Sequence, residues 1–239
     1  MQYTDLTYPA PCQDLACDEV LIDLCKEGYD HEILRFWEPS QYFVVLGYSS
    51  KIKDDVDLLF CRENGIPVIR RCSGGGTVLQ GPGCLNYSLI LKMANSPPLK
   101  TIIDTYSFVM TRHKEAVQAI LNKKVEIQGR SDLALGLRKF SGNAQLRKRK
   151  FLLFHGTFLL EFDISLIEKI LRMPSKQPQY RDNRSHKDFL TNLNIPSRIM
   201  KQALKEAWNA TEALGNVPGE KIDSLVRTKY SSSEWNLKF

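Results

Sequence analysis

The stretch Ile69-Arg70-Arg71-Cys72-Ser73-Gly74-Gly75-Gly76-Thr77-Val78 decides how the rest of the chain is read. A β-branched run, Ile66-Pro67-Val68-Ile69, predicts the strand that enters it. Three consecutive glycines are costly in conformational entropy and mark a backbone that bends sharply or lies against another group. With two arginines just upstream, that group reads as an anion, held by exposed N–H groups and guanidinium. A flexible strand connection with solvated arginines is the alternative reading.

The chain has 239 residues, 43% hydrophobic and 25% charged, the balance of a globular protein with a full core in one large domain or two small ones. Its formal charge of +6 suits an anionic partner, a nucleotide or an acidic protein surface, and falls short of a nucleic-acid signature. All six cysteines, Cys12, Cys17, Cys25, Cys61, Cys72 and Cys84, come early and none form a C-x-x-C pair. That argues against a zinc ribbon or a thioredoxin-like site. No basic, apolar leader opens the chain and no run of about 18 apolar residues occurs. The expectation is a cytoplasmic protein with reduced thiols and no membrane contact.

Working outward, residues 13–27 place Leu15, Val20, Leu21 and Leu24 on one helical face, with Asp14, Asp18 and Glu19 toward its N-terminal half. Ile33–Trp37 and residues 42–47, separated by Glu38-Pro39-Ser40, predict a strand pair. Residues 51–64 predict a helix with Val56, Leu58, Leu59 and Phe60 as its apolar set. Beyond the glycines, 85–93 predicts a sheet strand and Asn95-Ser96-Pro97-Pro98 a turn. Residues 101–122 predict a long amphipathic helix around Ile103, Tyr106, Met110, Ala116, Ala119 and Ile120. Short strands at 125–128 and 133–135 precede a hairpin of 137–145 with 151–160, tipped by Arg147-Lys148-Arg149-Lys150. After a short helix at 165–172, residues 174–188 show no periodicity and read as a surface loop or lid. Pro196-Ser197 starts a helix carrying Ile199, Leu204, Ala207, Trp208 and Leu214, and a last helix covers 219–229. The order lacks strict βαβ alternation, so the expected class is α+β, with a mixed or antiparallel sheet flanked by helices.

Three stretches carry the chemistry. They are the Arg-Arg-x-Ser-Gly-Gly-Gly loop, the segment from Gly129-Arg130-Ser131-Asp132 to Lys139-Phe140-Ser141-Gly142-Asn143-Ala144-Gln145, and Phe154-His155-Gly156-Thr157. With the ending Lys229-Tyr230 to Glu234-Trp235-Asn236, they resemble the lipoate-protein ligase A family, within the wider biotin/lipoate attachment superfamily. The resemblance runs from the first helix to the last residue. It implies a single biotin/lipoyl ligase-like catalytic domain over 1–239 without the family's frequent C-terminal accessory domain. That piece is then a separate protein, or adenylation proceeds without it. It further implies ATP and Mg2+, lipoate as substrate, and a lipoyl-domain acceptor of the 2-oxoacid dehydrogenase E2 or glycine-cleavage H type.

By the same resemblance Lys139 is the catalytic lysine, bridging acyl carboxylate and α-phosphate as they are joined. Taken alone, a lysine in such a strand points to solvent. The resemblance assigns Arg71, Ser73, Gly74, Gly75, Gly76 and Thr77 to the acyl-adenylate site, together with Asn86, Ser141, Gly142, Asn143, Ala144, His155, Gly156 and Thr157. His155 would act around the triphosphate; read alone it is a core histidine bonded to a carbonyl. Asp132 matches an acidic residue near adenylate and Mg2+, and read alone is a turn residue. Arg70 ranks below Arg71, as a structural salt-bridge partner. The basic hairpin tip is a solvated turn or a dock for an acidic carrier domain.

The superfamily also contains octanoyltransferases, which use a cysteine thiolate. One type places it well downstream of the lysine motif, where this chain has none; the other shortly upstream, where this chain reads Gly129-Arg130-Ser131-Asp132-Leu133. The expected activity is therefore an ATP-dependent lipoate–protein ligase passing through lipoyl-AMP. The alternatives are an octanoyltransferase, an acyl-binding relative without catalysis and, ranked low, a biotin ligase. Cys72 and Cys84 depart from the family pattern. An arginine-flanked Cys72 with a lowered pKa would permit an acyl-enzyme; packing is the reading preferred for both.

Overall fold

A computed structural model describes residues 1–93, 97–174 and 176–239. In chain order the elements begin with β1 (Gln2–Asp5), α1 (Pro11–Lys26), β2 (Ile33–Trp37), β3 (Phe43–Leu46), α2 (Ile52–Asp55) and α3 (Leu58–Glu63). Next come β4 (Val68–Arg70), β5 (Val78–Gln80), β6 (Cys84–Lys92), α4 (Ile102–Leu121), β7 (Glu126–Gln128) and β8 (Asp132–Leu135). The hairpin β9 (Arg138–Arg147) and β10 (Phe151–Leu159) leads to α5 (Ser165–Ile170), α6 (His186–Phe189) and α7 (Ser197–Ala207). The chain closes with β11 (Glu212–Ala213), α8 (Gly219–Leu225) and α9 (Ser233–Asn236).

Among the described residues the strands form an eight-stranded sheet, β11-β1-β2-β6-β10-β9-β8-β7, and a three-stranded sheet, β4-β3-β5. Parallel and antiparallel pairs both occur, so the class is α+β with a mixed sheet, as expected. The expected pairing of the strands at 33–37 and 42–47 does not form. β2 inserts between β1 and β6, whereas β3 pairs with β4 and β5. Both faces of β2 are buried, so it needs partners on both edges and helices on both sides, which a two-stranded ribbon cannot supply.

Strand alternation sorts the large sheet into two faces. Leu34, Tyr87, Leu89, Phe154 and Phe158 pack against α4 and α7 through Val109, Met110, Val117, Met200 and Leu204. Ile33, Ile90 and Leu153 turn the other way, toward α1, α8 and the small sheet, meeting Leu21, Ile22, Val45 and Ile222. That second face becomes polar toward one end, which is where the candidate site lies.

Several local expectations are corrected. The helix expected over 51–64 is two short ones, because Val56 is extended and bridges to Leu171. Asp57 then restarts the helix by accepting the Phe60 N–H at 2.9 Å. Leu59 is exposed. On α4 the buried line runs through Thr105, Val109, His113 and Val117, an i+4 ridge; Ile103 and Ala119 lie outside it and are exposed. The helix begun at Ser197 stops at Ala207, with Asn209 left-handed at φ 48°, so Leu214 is not on it. The turn residues Asn95 and Ser96 lie outside the described residues, as does Ser175 of the expected lid. The rest of that segment is partly built in, with a 3-10 turn at Gln179–Arg181, α6, and buried Arg181 and Phe189.

Candidate active site

The site is assembled by register. Arg35 on β2, Ser88 on β6, His155 on β10 and Ala144 on β9 are successive cross-strand partners, so their side chains form one row. Trp37, Asn86, Thr157 and Gly142 form the next row, and Asp132 on β8 continues it opposite Gly142. The glycine loop between β4 and β5 covers these rows, since a Cβ on Gly75 would lie 3.6 Å from the Ala144 Cβ.

Lys139 reaches the same patch through a β-bulge. Leu133 pairs with Ser141 and Ala134 with Lys139, leaving Phe140 as the extra residue of β9. The re-aimed side chain sets Nζ 2.8 Å from Asp132 Oδ1 and 2.7 Å from where a Gly142 Cβ would be. Gly142 and Ala144 are two residues apart on one face, about 7 Å, so ammonium and glycine loop are neighbours. Asp132 Oδ2 accepts a 2.8 Å hydrogen bond from Tyr180 in the segment first read as a loop or lid. Burial, with Asp132 beside it, raises the Tyr180 hydroxyl well above its ordinary pKa and keeps it a donor.

Arg71 is buried, and its guanidinium donates to the Gly74 carbonyl, the Gly76 carbonyl at 2.9 Å and Ser73 Oγ at 3.1 Å. Among the described residues it meets no carboxylate. Burial lowers it to about 10, so it stays charged at neutral pH, a desolvated cation without a counter-ion. Because Arg71 takes loop carbonyls, the loop's other edge is left free: the N–H groups of Gly74, Gly75 and Gly76 find no acceptor among the described residues. Arg70 is structural in a different way from the salt bridge expected. It donates to the carbonyls of Gly47, Tyr48, Ser50, Trp235 and Asn236, tying the C-terminal segment to the base of the loop.

His155 stands in a chain of buried partners. Its Nε2 lies 2.6 Å from Ser73 Oγ and its Nδ1 3.1 Å from Asp18 Oδ2. Asp18 Oδ1 accepts from Arg35 at 2.7 Å, and Arg35 also pairs with Asp14. Burial works to raise the Asp18 pKa, yet the hydrogen bonds from His155 and Arg35 hold it below the ordinary carboxylate value. From the sequence, Asp14 and Asp18 were read only as acidic residues of the first helix and Arg35 only as part of a strand. Their signal was present: two aspartates four apart on a helix, and one arginine inside an apolar strand.

The remaining expected residues divide. Thr157 donates to Asn86 Oδ1 and accepts from Gln80, all on the site face. Thr77 bonds to Asp55 at the loop's exit. Ser141, Asn143 and Gly156 belong to the opposite face by alternation. Asn143 is used internally, accepting from Tyr87 and donating to the Ser131 carbonyl at 2.7 Å; Gly156 leaves room for it, since a Cβ there would meet Asn143 Oδ1. On the site face, Trp37 Nε1, Gln80 Oε1 and Asn86 Nδ2 are buried without a hydrogen-bond partner among the described residues, which leaves the site unused polar capacity.

The thiols stand apart from this arrangement. Burial pushes Cys72 and Cys84 up to about 12, the opposite of the lowered value an arginine-flanked Cys72 suggested. Cys72 is packed in the core beside α1.

A family model described as the lipoyl protein ligase A/B catalytic domain matches residues 10–209. The chain belongs to that family. Among lipoyl protein ligase A/B relatives, the octanoyltransferase LipM of Geobacillus kaustophilus is 26% identical over 99% of this chain and 98% of its own. The lipoate-protein ligase LplJ of Bacillus subtilis is also 26% identical, over 95% of this chain and 70% of its own. In fold, the chain matches a bi-partite lipoate protein ligase from Thermoplasma acidophilum, studied with its E2 lipoyl domain. That match has a TM-score of 0.82 and 21% identity, and covers 99% of this chain and 95% of the other. This lipoyl protein ligase A/B family member is thus an enzyme of the ligase and octanoyltransferase group. No helix among the described residues is long and apolar enough to cross a membrane.

Proposed function

We propose that the chain is an ATP-dependent lipoate–protein ligase that activates lipoate as lipoyl-AMP and transfers the lipoyl group to a lysine of a lipoyl domain. The observation that carries this reading is the buried Arg71, charged and without a carboxylate among the described residues, beside the Lys139–Asp132 pair. A site of this kind binds an anion that brings its own negative charge, as a carboxylate and an α-phosphate do. Arg71 and the free loop N–H groups hold the two anions against each other, and Lys139 stabilises the charge on the oxygens that are joined. In the second half-reaction the acceptor amine displaces AMP, and Lys139 again faces the departing phosphate. Asp132 keeps the lysine oriented and, among the described residues, is the carboxylate paired with it. Mg2+ would therefore arrive with the triphosphate, held largely by phosphate and water with Asp132 as its protein ligand.

The LipM relative favours octanoyl transfer as a second reading, against which stand the buried thiols and the serine at position 131. The acceptor we infer is a lipoyl domain, as for the Thermoplasma relative. Its steering falls to Arg149 and Lys150, exposed at the hairpin tip. Arg147 is already bonded to the Leu99 and Lys100 carbonyls, and Lys148 to Asp23. Protein, Mg·ATP, lipoate and a lipoyl domain should give an ATP-dependent mass gain on the domain that Lys139→Ala abolishes. Modification from octanoyl-carrier protein without ATP would overturn the ligase reading.

A further inference from the structure

Ser73, His155 and Asp18 come from the glycine loop, strand β10 and helix α1, and form one hydrogen-bonded line. Nδ1 faces a carboxylate and so carries the ring proton, which leaves Nε2 to accept from the Ser73 hydroxyl at 2.6 Å. Arg71 Nε donates to the same Oγ at 3.1 Å, favouring the developing alkoxide. Asp18 is itself fixed by Arg35, which pairs with Asp14 as well, so the carboxylate that orients the His155 ring is held in place. The N–H of Gly74, next after Ser73, has no acceptor among the described residues and so is available to an oxyanion. Serine, base, orienting acid and oxyanion donor are all present, and relations of this kind identify a nucleophilic serine whatever the fold.

We propose that Ser73 is an acyl-accepting nucleophile, giving this chain an acyl-serine activity toward activated medium-chain acyl esters. Oγ attacks the acyl carbon, the Oγ–C bond forms, and the hydroxyl proton passes to His155 Nε2. The bond from the acyl carbon to its leaving oxygen breaks, and the leaving group departs as the anion. The Nε2 proton is then lost to solvent. Water attacks the acyl carbon as Nε2 takes one of its protons, the bond from the acyl carbon to Oγ breaks, that proton passes from Nε2 to Oγ, and the free acid leaves. Ser73 itself is buried beneath three exposed glycines, so the donor enters as the loop parts. His155 acts on the reacting atoms; Asp18 is a positioning residue.

The test uses the full chain with p-nitrophenyl octanoate, without ATP or acceptor domain, so its outcome is independent of the ligase reading. A burst of p-nitrophenolate should accompany one octanoyl group per chain, mapped to Ser73 by peptide mass spectrometry. Ser73→Ala should lose the adduct, and Ser73→Cys should restore one at the same position. Asp18→Asn should slow acylation by about 10² or more across the whole pH range, because an amide there permits the wrong tautomer. Thermal melting of each variant separates this from misfolding. A label on a lysine or on another cysteine, no adduct in the folded wild-type chain, or a rate unchanged in folded His155→Gln would overturn the proposal.

Discussion

One carboxylate, Asp132, holds both the Lys139 ammonium and the Tyr180 hydroxyl, each at 2.8 Å. The lysine rises from the sheet and the tyrosine comes from the covering segment, so Asp132 couples the candidate catalytic group to its cover. Tyr180→Phe removes one neutral-to-charged hydrogen bond and should cost about 1–2 kcal/mol locally. Hydrogen exchange should quicken over residues 179–189 and stay unchanged in β9 and β10. Exchange that is equally slow in the variant would show that other contacts hold the segment.

Gly142→Ala separates function from stability. Its Cβ would meet the Lys139 ammonium at 2.7 Å, and the end of a flexible side chain can move away. Denaturant midpoints should shift by less than about 1 kcal/mol while turnover falls by at least about tenfold, because a displacement near 1 Å is enough to spoil alignment.

Gly47→Ala should show the opposite emphasis. There the added Cβ would sit 1.8 Å from the Gly75 carbonyl oxygen, and backbone must shift. A loss of about 2–3 kcal/mol is expected, with the loop displaced. A wild-type melting temperature would mean that the loop packs less tightly on Gly47 than described.

Arg70→Met tests the tie to the C-terminal segment. Five carbonyls, two in buried and three in half-buried hydrogen bonds, lose their donor, and the backbone N–H of Arg70, which donates to Asn236 Oδ1 at 2.9 Å, cannot compensate. The expected loss is about 3 kcal/mol, or about 6–12 °C in melting temperature for a chain of this size. Limited proteolysis should then cut near Trp235.

His113 makes stability depend on pH. It is fully buried, accepts from Trp208 Nε1 at 2.8 Å, and burial lowers its pKa to about 3. The unfolded chain takes up a proton near pH 6.5 and the folded one does not. The contribution is therefore complete above about 6.5 and is lost as pH falls toward 3. Between pH 6.5 and 5 the loss should be about 1.6 kcal/mol. Urea titrations at the two values should show it, and His113→Gln should flatten the difference.

Much of the fold was legible in the residues themselves. Helix α1, strand β6, helix α4 and the β9–β10 hairpin follow from periodicity and punctuation, which report the face each segment buries. The glycine loop stood out from its residues, whereas Lys139 and His155, ordinary when read alone, were marked only by the family resemblance. The β2 and β3 strands were legible as strands but not as members of different sheets, since periodicity says nothing about which edge a strand joins.

What the sequence by itself determined was therefore the set of segments and the polar residues carried into them. Only the tertiary structure decided that Asp18 meets His155 across 137 positions, that Tyr180 latches onto Asp132, and that Asn143 and Gly156 turn away from the site. It also set Arg70 on the C-terminal carbonyls while Arg71 kept its charge for a ligand. The physical reason is that a side chain's face is a local property of its backbone. Its hydrogen-bond partner depends on which distant strand or helix the packing brings within about 3 Å.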